Sequence, residues 1–76
     1  MDLNEFVANF ADQFDDTDPE EIQAETLFHD LDEWSSLVGM GIIALAKTEY
    51  GTTISGKELK ECRTVRDVYN LIVSKG

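Results

Sequence analysis

Between Asp30 and Leu37 the chain changes character. An acidic loop, Asp30-Leu31-Asp32-Glu33-Trp34, runs into Ser35-Ser36-Leu37, and from Val38 to Leu45 the residues are apolar on nearly every side. A chain of 76 residues buries a modest core, so a helix of this kind cannot hide every face inside it. A serine at the mouth of such a helix sits beside unsatisfied N–H groups and the positive end of the dipole, which suits a phosphate ester. Together the two features point to a modified serine beside a partner-binding helix, and away from a self-contained active site.

The same shortness predicts a single domain over residues 1–76 with little room for a deep catalytic pocket. The lone Cys62 has no partner for an internal disulfide, so a reducing cytoplasm is expected. No run is long and apolar enough to insert into a membrane, and Asp2 and Glu5 stand where a signal peptide would be basic. Charge is unevenly placed. Residues 1–35 hold twelve acids and no Lys or Arg, a charge of −12, while residues 36–76 hold four acids and six bases, giving +2 and the overall −10. Such a field repels nucleic acid and anionic lipid and steers towards basic protein surfaces; it also serves as a solvated face that keeps a monomer soluble.

Apolar spacing predicts four helices, one of them short, and no alternating strand pattern. Leu3, Phe6, Val7, Phe10 and Phe14 form one stripe over three to four turns, halted by the turn formers Asp15-Asp16-Thr17-Asp18-Pro19. In the long connection that follows, Ile22, Leu27, Phe28 and Leu31 are spaced anchors that lay the loop along the core, and so long a connection is often functional. Ser35 is the N-cap of a second helix from Ser36 to about Tyr50, stopped by Gly51. Gly39 and Gly41 inside it cost about 1 kcal/mol each against alanine, which packing offsets or which marks a close approach to the backbone. Thr52 to Ile54 is an extended link, and Ser55 to Lys60 form one or two helical turns. Thr64 caps the last helix with Asp67 three residues on, and Val65, Val68, Tyr69 and Ile72 form its inward stripe.

Within the second helix Ile42, Ile43, Leu45 and Ala46 face the core. Leu37, Met40 and Ala44 step by three and four on another side, with nothing left in the chain to pack on. They form, with Trp34 at the loop end, a docking surface in which Met40 suits an adaptable contact. Catalysis is poorly supported. The only histidine, His29, reads as a solvated loop side chain and makes at most a dyad with Ser36. Asp16, Asp18 and Glu20 alternate as in a calcium loop, but Pro19 interrupts them and the required glycine is missing. No Cys/His cluster exists for zinc. Cys62 reads as buried and inert.

The order of these parts resembles the acyl carrier protein family, with its peptidyl and aminoacyl carriers. The likeness covers essentially the whole chain: the amphipathic first helix, Asp18-Pro19-Glu20-Glu21-Ile22, Glu25-Thr26-Leu27-Phe28-His29-Asp30-Leu31, the Trp34-Ser35-Ser36-Leu37 signature, Glu49-Tyr50-Gly51, Ile54, and Thr64-Val65-Arg66-Asp67-Val68. It implies a small four-helix bundle. It also implies that the serine of an Asp-Ser-Leu motif, which maps onto Ser36, carries covalent 4′-phosphopantetheine and bears acyl or aminoacyl thioesters for fatty acid, polyketide or peptide biosynthesis. Implied partners are a phosphopantetheinyl transferase using coenzyme A and magnesium, a loading ligase, and synthase or transferase enzymes. Two departures stand out. Ser35 fills the Asp position and is the rival attachment site, and the second helix holds Gly41, Lys47 and Thr48 where the family often has acids. The alternative from another class is an acidic helical interaction module without an arm.

At −10 the folded chain repels itself, mostly through the acids before Ser36. Added salt or millimolar magnesium is expected to raise the melting temperature by screening, and neutral Asn or Gln at Asp12, Asp15, Asp16 and Asp18 to mimic the salt. Stoichiometric stabilisation by magnesium with no response to sodium contradicts screening.

Overall fold

The computed structural model describes residues 2–75. Four helices follow in order, α1 (Leu3–Ala11), α2 (Ser36–Tyr50), α3 (Gly56–Glu61) and α4 (Val65–Lys75), with short 3-10 turns at Pro19–Glu21 and Phe28–Asp30 in the long connection. The four helices expected from the apolar spacing, and the bundle that the resemblance implies, are the fold observed, and no strand forms among the described residues. α1 packs against α2 and α4, and α3 lies against α2.

α1 starts on Asp2, whose carboxylate accepts from the Asn4 amide at 3.2 Å. It is shorter than its apolar stripe predicts. After Ala11 the bonds tighten, with the Gln13 amide donating to Phe10 and the Phe14 amide to Ala11. This i to i−3 pattern ends the helix yet keeps Phe14 inward and buried, its ring 5.8 Å from that of Phe10. The spacing of the stripe therefore outlasts the helix. Asp18 then caps the first 3-10 turn, accepting from the Glu20 amide at 3.0 Å with Pro19 at the first position. This is the use found for an acid that alternates as in a calcium loop.

The connection is held from two sides. Ile22 and Phe28 are fully buried, and the Phe28 ring meets Phe10 edge-on at 5.3 Å. Leu27, expected to be an anchor, is instead 50% exposed. Its backbone pairs with Thr64 in an isolated bridge, and the 3-10 turn that begins at Phe28 puts that ring, and not Leu27, into the core. Beside the bridge the first free amides of α4 find acceptors in the connection, Val65 to Thr26 at 3.3 Å and Arg66 to Ala24 at 2.8 Å. Thr64 and Asp67 complete that cap. The Asp67 amide donates to the Thr64 hydroxyl at 3.1 Å, while the Asp67 carboxylate accepts from the Thr64 and Arg63 amides. α3 opens on a full capping box, Ser55 with Glu58.

His29 is half-buried, which corrects its reading as a solvated side chain. Its Nε2 lies 2.9 Å from the Cys62 carbonyl. A carbonyl only accepts, so Nε2 carries the proton and ties the connection to the α3–α4 junction. The other tie is Glu33. Its carboxylate accepts from the Asp15 amide at 2.7 Å, the Asp16 amide at 3.0 Å and the Thr17 hydroxyl at 2.7 Å. This latch joins the end of the α1 turn to the residues just before α2.

The Thr17 hydroxyl first, then the Asp15 and Asp16 amides, hold the Glu33 carboxyl below its ordinary value. A lowered folded pKa contributes stability that is complete above the unfolded value and is lost as pH falls through the folded one. The melting-temperature deficit of Glu33→Gln should therefore be largest at neutral pH and fade in acid. Thr17→Val should move the Glu33 titration, followed by NMR, back up. A Glu33 that titrates normally in the parent protein contradicts the latch.

Candidate functional site

α2 takes its geometry from Ser35. That residue is extended (φ −157°), its hydroxyl accepts from the Val38 amide at 3.4 Å, and its carbonyl accepts from Gly39 at 2.9 Å. The helix stops at Gly51, where φ is +63° and a side chain would be strained. Ser36 is the first helical residue and is exposed. The two serines thus have different tasks, one hydroxyl turned to the cap and the other standing at the positive helix end. No acid lies in the first turn of α2 to offset that end.

The faces of α2 divide as their spacing predicts. Ile42 and Ala46 are fully buried and Leu45 nearly so, with Ile43 half-buried. Leu37 is 78% exposed and Met40 65%, and Ala44 continues the same outward stripe. Trp34 differs from these three. It is half-buried, its ring 4.8 Å from Phe28 and 5.1 Å from His29, so it supports the start of α2 from the core side.

A groove of about 530 Å³ runs between α2 and α3 beside the serines. Trp34, Gly39, Ile43 and Leu59 give it an apolar wall, Met40 its lip, and Lys57 and Lys60 a cationic rim, with His29, Ser35 and Ser36 at one end. A Cβ built on Gly39 would lie 3.6 Å from Leu59 and from the Trp34 ring, an ordinary contact distance. Packing inside the chain therefore does not require a glycine there; the missing side chain leaves the groove deeper. At Gly41 a Cβ would meet only the flexible tip of Gln13, at 3.1 Å.

A second recess, about 470 Å³, is lined by Asp16, Thr17, Glu21, Asp30, Leu31, Asp32 and Glu33. Its charge repels any phosphate. Among the described residues no cluster of three or more His, Cys, Asp or Glu has the geometry to hold a metal ion. Cys62 is buried, and burial first, then the charges of Asp67, Glu58 and Glu61, push its thiol pKa up. It packs and stays protonated.

These residues suit a phosphodiester followed by a flexible chain. An exposed hydroxyl stands at an uncompensated helix N-terminus, next to a groove with an apolar wall and two lysines. The apolar spacing showed the outward stripe, and the helix start showed the serines. It did not show the groove, which needs α3 to be folded against α2. The one available signal was Lys57 and Lys60 bracketing Leu59 at helical spacing.

No helix among the described residues is long and apolar enough to cross a membrane. Comparison with curated proteins and with solved structures gives no match. A family model described as phosphopantetheine attachment site matches residues 2–72, from the cap of α1 to the last buried residue of α4. Members of that family carry covalent 4′-phosphopantetheine, and such carrier domains are not themselves catalytic. With the match spanning all four helices and the serine-led start of α2, the chain belongs to the phosphopantetheine attachment site family.

Proposed function

We propose that residues 1–76 form one carrier domain whose arm is attached to Ser36, and that it serves a dedicated biosynthetic pathway in the cytoplasm. The observation that carries the assignment is the division between the serines: Ser35 accepts the cap hydrogen bond while Ser36 is exposed at the first helical position. The arm supplies a thiol, with a pKa of about 8.5 if unperturbed, on which acyl or aminoacyl groups ride as thioesters. The chain's own residues present and position. Ser35 fixes the first turn, and the free amides behind Ser36 face the phosphate. Trp34 braces the turn from inside. Leu37, Met40 and Ala44 offer partner enzymes an apolar strip next to the attachment point. Tethering then makes each encounter between cargo and docked enzyme intramolecular, which raises its effective concentration. The family implies a phosphopantetheinyl transferase and pathway enzymes as partners; a loading ligase and a synthase or transferase complete the set proposed here, acting on a monomeric carrier.

Ser36→Ala should abolish modification by a phosphopantetheinyl transferase and leave the circular dichroism spectrum helical. Ser35→Ala should weaken the cap by about 1 kcal/mol and still accept the arm. Peptide mass spectrometry that locates the arm on Ser35 overturns the assignment. An intact mass that never gains an arm, whichever transferase is supplied, favours an interaction module without one.

Met40→Glu tests the strip. The side chain is 65% exposed, so the charge stays in water and the melting temperature should barely move, while modification or transfer by a partner slows. Loss of helical signal, or an unchanged rate with every partner, removes Met40 from the docking surface.

A further inference from the structure

The rim of the α2–α3 groove has a charge pattern that the carrier reading alone does not use. Lys57 and Lys60 stand three apart on α3, are exposed, and both line the groove that Ser36 lines. Like charges at that spacing repel each other on an isolated helix. The acid between them gives no relief, since the Glu58 carboxylate takes the Ser55 amide at 2.9 Å and the Lys75 ammonium at 2.8 Å. Glu61 does not line the groove. The ion pairs among the described residues, Arg66 with Glu25 and Lys75 with Glu58, include neither groove lysine. In a chain of net charge −10, two adjacent cations that form no ion pair lie on the groove that the attachment serine lines.

On the connection side of the start of α2 lies the opposite field, the recess of Asp16, Glu21, Asp30, Asp32 and Glu33. A phosphodiester on the Ser36 oxygen carries one negative charge, and Ser36 lines the lysine groove and not the acidic recess. Attraction to the lysines favours the groove, and repulsion by the acids disfavours the recess. Beyond the phosphate the groove continues as an apolar wall of Ile43, Leu59 and Trp34, kept open by the absent side chain at Gly39.

We infer that Lys57 and Lys60 form a binding site for the phosphodiester of the Ser36-borne arm. The inference rests on Ser36 as the attachment point. The site takes a phosphodiester monoanion, and its grip is electrostatic at an exposed surface, so it holds the arm loosely and releases it to a docked enzyme. The residues act by direction: the acids exclude one path for the arm and the lysines supply the other.

The test uses the full chain loaded by a transferase, with the arm located by peptide mass spectrometry. An arm absent from Ser36 overturns the attachment reading and this inference together. With the arm on Ser36, NMR of the unloaded and loaded forms is expected to show shifts at Gly39, Ile43 and Gly56–Lys60, including the Lys57 and Lys60 side-chain methylenes next to the ammonium. Phosphorus relaxation of the loaded form should report a restrained phosphodiester. K57Q/K60Q, checked for helical signal, should load on Ser36 but lose the α3 shifts and the restraint. Rising salt should produce the same loss in the parent protein, which keeps the question decidable if the double variant does not fold. Loading shifts confined to residues 35–38, or α3 shifts that survive both the double substitution and high salt, overturn the lysine site while leaving Ser36 as the attachment point.

Discussion

The first turn of α4 is the point on which the rest of the structure hangs. A helix begins with amides that its own turns cannot satisfy, and here Val65 and Arg66 give theirs to the carbonyls of Thr26 and Ala24. That exchange pulls the long connection onto the bundle and lets Phe28 fall among Phe10, Trp34 and the buried valines of α4. Once Phe28 is seated, His29 reaches Cys62 and Trp34 closes over the core edge. Trp34 and the Glu33 latch together hold the start of α2, since Ser35 follows them directly. The exposed Arg66–Glu25 ion pair beside this junction contributes little by comparison, since water screens charges so open. The start of α2 is thus held in part by backbone hydrogen bonds to the first turn of α4.

Much of this was legible in the residues, and the reasons are local. α2 runs from Ser36 to Tyr50 with Ser35 and Gly51 at its ends, because a cap and a left-handed stop are encoded within a few positions. The box at Thr64 and Asp67 is encoded the same way. What periodicity could not see was non-local. Phe14 continues the stripe of α1 although the helix has already ended, since a 3-10 turn keeps it inward. Leu27 and Phe28 are both apolar, and which of them faces solvent depends on the 3-10 turn and the bridge to Thr64, neither of which spacing shows. His29 looked like a loop residue because its acceptor is 33 positions away. For the site, Ser36 and the outward stripe were visible, whereas the groove exists only through the contact of α3 with α2.

The uneven charge takes on spatial meaning in the fold. Acids of the first half gather in one recess, and lysines of the second half edge a different groove, the one that Ser36 lines. α2 itself presents an almost uncharged strip. Glu33 belongs to the acidic side by sequence but functions as a structural acceptor, fully engaged by the Asp15–Thr17 turn. Acidic composition therefore hides at least two roles, solvation and local anchoring, which only hydrogen-bond geometry separates.

Cys62 has a consequence for the integrity of whatever a carrier of this family conveys. A thioester is lost whenever a competing thiolate reaches its carbonyl, and the thiolate, not the thiol, is the nucleophile. The one thiol this chain encodes is buried, and burial first, then the acids around it, keep it protonated. Its backbone carbonyl meanwhile holds His29, which keeps the junction over it closed. The protein is thereby mute towards its own freight: transthioesterification onto the scaffold, a dead end for a carrier, is denied by the same packing that seats the last helix.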